Sequence, residues 1–269
     1  MVPANRLAVP RAARLAAVAA LAALAACAGA RRTDTSYQLR LAMAEQLASQ
    51  GDWAGAYRAA DALCRDEPKE RRARLLRARM LRHTGAAEEA EAALKDLLND
   101  EPTNAAAHAE LGILYERGRR TKDALEHHQE ALRLEPGSPR YLNNMGFALH
   151  LRGRSREAIH HFEEALRIDP SDARVRNNLG FALAASGDFA RAARQFELAG
   201  TKAEARNNLG LAYERAGNLL QAYEQYLEAV QLDASSVTAR GNLEHAAREM
   251  GRVLPELGTV PDAGAKGGS

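Results

Sequence analysis

Arg176-Asn177-Asn178-Leu179-Gly180 is written again, identically, at Arg206-Asn207-Asn208-Leu209-Gly210. A near copy, Tyr141-Leu142-Asn143-Asn144-Met145-Gly146, lies upstream, and Leu111-Gly112 lies before that. Counted from Leu111, the leucine-or-methionine plus glycine pair recurs after 34, 34 and 30 residues. A fixed interval of this size is the mark of a repeat architecture.

Each interval follows one template. Gly112 is followed by Ala124, His128, Ala131 and Pro136, and Gly146 by Ala158, Phe162, Ala165 and Pro170. Gly180 is followed by Ala192, Phe196 and Ala199, and Gly210 by Ala222, Tyr226 and Ala229. The pattern implies two helices per interval. Between them falls a further glycine, at Gly51, Gly85, Gly153, Gly187, Gly217 and Gly251, where a reversing chain needs a residue tolerant of positive φ. Alanine and glycine let the antiparallel helices approach closely, and the ring on the second helix is expected to fill the space at the next repeat. The proline ends the second helix. One such pair cannot bury its own apolar stripe, so several must stack.

This template resembles the tetratricopeptide (TPR) repeat over about residues 37–250. The resemblance implies an all-α TPR solenoid of about six helix-turn-helix repeats with a C-terminal capping helix. The intervals place repeats at about 37–70, 71–104, 105–138, 139–172, 173–202 and 203–236, a cap at 237–250 and a disordered tail at 251–269. The first two depart from the template: Met43-Ala44 and Arg77-Ala78 replace the leucine and glycine. The fifth is four residues short, running from Phe196 and Ala199 through Gly200-Thr201-Lys202 into the next helix, which should shorten its second helix by about a turn.

Composition agrees with helix throughout. The 269 residues are 46% hydrophobic but only 5% aromatic, which suits a stack with neighbour-only contacts better than one large core. A formal net charge of +2 gives no reason to expect nucleic acid.

The N-terminus reads differently. Arg6, Arg11 and Arg14 precede an apolar run from Leu15 to Ala26, too short for a stable membrane span. The run ends in Leu24-Ala25-Ala26-Cys27, so residues 1–26 read as a secretory signal. Leu24 to Cys27 resembles the lipobox of bacterial lipoproteins, which implies lipidation of Cys27 and a tether over 27–36. An ordinary cleaved signal or an anchor helix is the alternative. Ala28 stands where an aspartate would signal inner-membrane retention in the enterobacterial sorting rule, which favours the outer membrane and a periplasmic location. Cys64 is then left without a partner and reads as a small buried apolar residue.

Asn144, Asn178, Asn208 and Asn242 hold the same place in successive repeats. A carboxamide donates and accepts, which suits the backbone of an extended peptide. The row resembles the asparagine ladder of peptide-holding TPR proteins and implies a peptide-binding groove. The alternative is that each asparagine caps or bonds within its own repeat. Arg71, Arg72, Arg74, Arg77, Arg79 and Arg82 share one helix, of which Arg72, Arg79 and Arg82 would face the groove and seat an acidic ligand. The competing reading is a solvated face paired with Glu67 and Glu70, or one lying against anionic lipid. His127 and His161 occupy equivalent places, beside His128 and His160, without the spacing of a metal site. No cofactor is expected, and no phosphate loop or nucleophile elbow points to an enzyme.

The foreshortened run from Gln195 to Gly210, with the lipobox, resembles the TPR lipoproteins of Tad (Flp) pilus assembly systems. That resemblance implies a membrane-anchored, non-enzymatic scaffold docking a secretin or pilus component. A pilotin-like lipoprotein of type IV pili and a structural adaptor of peptidoglycan machinery are the alternatives.

Overall fold

Stacking demands that each helix expose an apolar stripe to two neighbours, and the alanine-rich template supplies stripes without bulk. The computed structural model describes residues 35–253, and every regular element among them is helical. The signal-like segment, Cys27 and most of the tether and tail lie outside the described residues. None of the described helices is long and apolar enough to cross a membrane.

The chain divides into two compact units, one ending at Pro102 and one beginning at Thr103. The first holds two helix pairs: residues 35–49 (α1) with Trp53–Asp66 (α2), and Arg71–Thr84 (α3) with Ala87–Asp100 (α4). Its core joins Leu41 and Ala44 of α1, Ala56, Ala60 and Leu63 of α2, and Ala73, Leu76 and Met80 of α3. Cys64 is buried there as a free thiol, and burial pushes its pKa up.

The second unit holds four pairs and a closing helix. These are Ala105–Arg117 (α5) with Thr121–Leu134 (α6), Pro139–Leu151 (α7) with Ser155–Ile168 (α8), Ala173–Ala185 (α9) with Phe189–Ala199 (α10), and Lys202–Arg215 (α11) with Leu219–Leu232 (α12). Val237–Glu249 (α13) follows. Starts are marked by side-chain caps: Asn104 accepts from Ala107 N–H, Asp172 from Val175 N–H and Ser236 from Ala239 N–H. Pro139 opens α7, where a missing N–H costs nothing.

The close approach within each pair has a specific seat. A Cβ at Gly146 would lie 2.7 Å from the Phe162 ring, and one at Gly210 would lie 2.5 Å from Tyr226. Gly112 with His128 and Gly180 with Phe196 make the same pairings. The ring therefore seats on the glycine of its own repeat, which corrects the expectation that it fills the next one. The reason is geometric: in an antiparallel pair, positions 16 apart across a tight turn come opposite each other.

The reversing glycines Gly51, Gly85, Gly153, Gly187, Gly217 and Gly251 all have positive φ. In the α5–α6 turn Arg119 holds that conformation instead, at φ 57°, alone among the described non-glycine residues.

Helix α10 has 11 residues where α8 and α12 have 14, so the deletion removes about one turn at its C-terminus. No linker compensates. Thr201 immediately opens α11 with a capping box, its hydroxyl accepting from Glu204 N–H while the Glu204 carboxylate accepts from Thr201 N–H at 2.8 Å.

The first helices of successive pairs touch one another, α5 to α7, α7 to α9, α9 to α11 and α11 to α13. The second helices do not: no such approach links α6 to α8, α8 to α10 or α10 to α12. A stack close along one row and splayed along the other curves toward the close row, so in this unit the first helices line the inner face.

Candidate functional site: an asparagine ladder on the inner helices

The repeated Asn-Asn dipeptide sits in the middle of each inner helix, where one of its two side chains can reach back to the preceding repeat. Asn178 Nδ2 donates to Asn143 Oδ1 at 2.8 Å, Asn208 Nδ2 to Asn177 Oδ1 at 3.0 Å, and Asn242 Nδ2 to Asn207 Oδ1 at 2.8 Å. The second asparagine of one repeat thus bonds the first asparagine of the repeat before it. This is neither a cap nor a bond within the repeat. Each rung uses one donor and one acceptor, leaving on Asn177 and Asn207 an Nδ2, and on Asn208 an Oδ1, with further capacity.

Asn144 is the exception. Its equivalent partner would be residue 109, and Ala109 stands there, so Asn144 Nδ2 is buried without a hydrogen bond. At Glu110, where the template would put the second asparagine, a buried carboxylate instead receives Arg140 Nη2 at 2.6 Å. The structure brings Asn178, Asn208 and Asn242 into one row and leaves Asn144 at its end.

Apolar groups accompany the row. The residue after each ladder glycine is large and apolar: Ile113, Phe147, Phe181 and Leu211. Phe181 meets Phe196 edge-on, centroids 4.9 Å apart, and the Arg215 guanidinium of α11 lies 4.8 Å from the Phe181 ring centre. Burial lowers the pKa of His150 on α7, and the Arg215 charge lowers it further. Sequence reasoning missed both the acceptors Asn143, Asn177 and Asn207 and this apolar series, although the periodic glycine was itself the signal that its neighbours also recur.

The deletion in the fifth repeat has a visible result. Below the shortened end of α10 a cleft of about 340 Å³ opens between α9, α11 and α13. Its lining includes Asn177, Asn207 and Asn208 from the ladder, Glu204, Asp233 and the Phe196 ring.

The arginine-rich helix lies in the first unit, and its charges meet carboxylates. Arg72 Nη2 lies 2.9 Å from Glu45, Arg74 bridges Asp96 and Asp100 at 2.8 and 2.7 Å, and Arg77 reaches Asp61 at 3.4 Å. Glu70 instead caps α3 and receives the Tyr37 hydroxyl at 3.1 Å. Arg79 is half-buried; Arg82 is buried, with Nη2 3.2 Å from His83, whose ring stacks on Trp53. Arg72, Arg79 and Arg82 therefore do not share one exposed seat.

His127 pairs with His108, Nδ1 to Nδ1 at 2.9 Å, rather than with His161. Among the described residues no group of three His, Cys, Asp or Glu side chains could hold a metal ion.

Four family models match the chain, each described as a tetratricopeptide repeat, over residues 41–105, 103–171, 149–207 and 203–236. No curated protein gives a significant sequence match. Among solved structures, the Cut9 and Hcn1 hetero-tetramer of APC/C aligns with TM-score 0.65 and 18% identity over 78% of this chain. The chain spans only 42% of that neighbour. PilW, described as a widely conserved type IV pilus biogenesis factor, aligns with TM-score 0.65 and 18% identity over 77% of this chain and 98% of its own. YrrB, described as a TPR protein with an unusual peptide-binding site, aligns with TM-score 0.52 and 20% identity over 69% of this chain and 98% of its own. At these identities the likeness is one of fold.

Proposed function

We propose, from the premise that this chain belongs to the tetratricopeptide repeat family, that it is a non-enzymatic scaffold binding an extended segment of another protein along its inner helices. The observation that carries this reading is the row of carboxamides, flanked by Phe147, Phe181 and Leu211 and retaining donors and acceptors beyond those used in the rungs. An extended backbone presents the complementary pattern of N–H and C=O groups, and the apolar series accepts alternate side chains.

The finer reading is a lipoprotein anchored through Cys27, held at the outer membrane and facing the periplasm, with an accessory role in Tad/Flp pilus assembly or secretion. The lipobox-like Leu24 to Cys27 supports the anchor, and a fold shared with a pilus biogenesis factor is compatible with the role. A pilotin-like task, or an adaptor of peptidoglycan machinery, would use the same groove.

Crosslinking pulldown with the mature protein should capture a defined partner. Asn144, Asn178 and Asn208 changed together to alanine should release it while helical circular dichroism is retained. Retention at unchanged affinity would remove the groove reading. Cys27→Ala should move the protein from the membrane fraction to the soluble one; unchanged membrane association would remove the lipid reading.

A further inference from the structure

In the second unit the second helices α6, α8 and α12 each run 14 residues, whereas α10 of the fifth repeat stops at 11 and lacks their last turn. What remains is the cleft below α10, and its chemistry is uneven in a useful way. Its apolar lining is Ala199, Ala203 and the largely buried Phe196, within a mostly polar wall. The two ionisable side chains that line it, Glu204 and Asp233, are both acidic. Ser235 donates its hydroxyl to Asp233 Oδ1 at 2.6 Å and its N–H at 2.9 Å, and these bonds hold the Asp233 carboxyl below the usual range, charged at neutral pH. Asn207 Nδ2 and Asn208 Oδ1, from residues that also line the cleft, keep hydrogen-bonding capacity that the ladder does not use.

An apolar stem ending in a cation matches this set of groups. We propose that the cleft left by the missing turn of α10 is a specificity pocket for a lysine or arginine side chain of the bound protein segment. The alkyl stem lies against Ala199 and Ala203 and the charged head meets Glu204 and Asp233. This rests on the groove reading and deepens it, since it assigns the groove a basic occupant at one defined repeat. Because the shortened second helix is confined to the fifth repeat, the pocket would also fix the register of the partner along the row.

The test uses the full chain and two blocked peptides, acetyl-Ala-Ala-Lys-Ala-Ala-amide and its norleucine isostere, followed by the side-chain amide NMR signals of Asn207 and Asn208. The lysine peptide should shift those signals and bind at least about tenfold more tightly than the isostere. The preference should weaken with added salt. Glu204→Gln combined with Asp233→Asn should abolish the preference. Both changes keep the local hydrogen bonds, since glutamine still completes the capping box and asparagine still accepts from Ser235, so the fold is preserved while the charge is removed. Equal binding of the two peptides, shifts confined to other repeats, or a lysine preference surviving the double substitution would each overturn the assignment. If the pulldown partner is lost on ladder substitution while the lysine preference is absent, the groove stands and the pocket falls.

Discussion

The Tyr226 hydroxyl donates to Glu214, twelve residues back on the facing helix, while the same ring occupies the space that a side chain at Gly210 would need. His128 repeats the relationship with Glu116 at 3.1 Å, over Gly112. Where the ring is Phe162 or Phe196 the corresponding residues are His150 and Ala184, and the tether is absent. Burial and the Glu214 hydrogen bond raise the Tyr226 pKa well above its ordinary value.

Tyr226→Phe should therefore lower the unfolding free energy at pH 7 by about 1 kcal/mol, a charge-assisted bond discounted for the partly exposed Glu214. The sign of the pH effect follows from the raised pKa. The stability tied to the neutral hydroxyl is complete below the unfolded-state value near 10 and is lost as pH rises toward the folded-state value. Urea titrations at pH 7 and at rising alkaline pH should show the wild type and the variant converging.

Glycine substitutions should split by position. Gly146→Ala puts a Cβ 2.7 Å from Phe162 and should cost about 1–3 kcal/mol through overpacking, despite alanine's better helix propensity. Gly241→Ala, on α13 with nothing within 4 Å of the new Cβ, should stabilise by about 0.5–1 kcal/mol. Thermal unfolding of both variants measures the difference; equal effects would contradict the packing described.

Arg119→Gly should raise stability by about 0.5 kcal/mol. The left-handed conformation costs an L-residue about 1–2 kcal/mol, partly offset by the larger chain entropy of glycine in the unfolded state. A drop in the urea midpoint at constant m would contradict this.

The ladder predicts an asymmetry between two chemically identical residues. Asn178→Ala leaves the buried Asn143 carbonyl without its donor and should cost about 1–2 kcal/mol. Asn144→Ala removes an amide that has no partner for its Nδ2 and should change stability by less than about 0.5 kcal/mol. Chemical denaturation of the two single variants compares them directly.

The helix pairs were legible because spacing carries them: a ring, a glycine and a small turn residue recur at fixed intervals, and each has a local steric reason. The rungs were less legible. A bond from Asn208 to Asn177 joins different places of two repeats, 31 residues apart, and no local rule selects the donor. The first unit shows a second limit. Arg77 stands at the leucine place and reaches Asp61 on the preceding α2, so that place looks back along the stack. Met43, at the same place on the first described helix, is 65% exposed. The meaning of the position depends on a neighbour that a single repeat does not encode. The cleft was written in the sequence as four absent residues, but one of its two acids, Asp233, comes from a full repeat later.

Touching first helices beside splayed second helices give the later unit a one-sided compliance. Straightening can narrow the wedge-shaped gaps at the convex side by hinging about the amide rail, whereas tightening would press the touching inner helices against one another. The later unit is thus softer toward opening than toward closing, in the manner of a watch strap whose links are pinned along their inner edge.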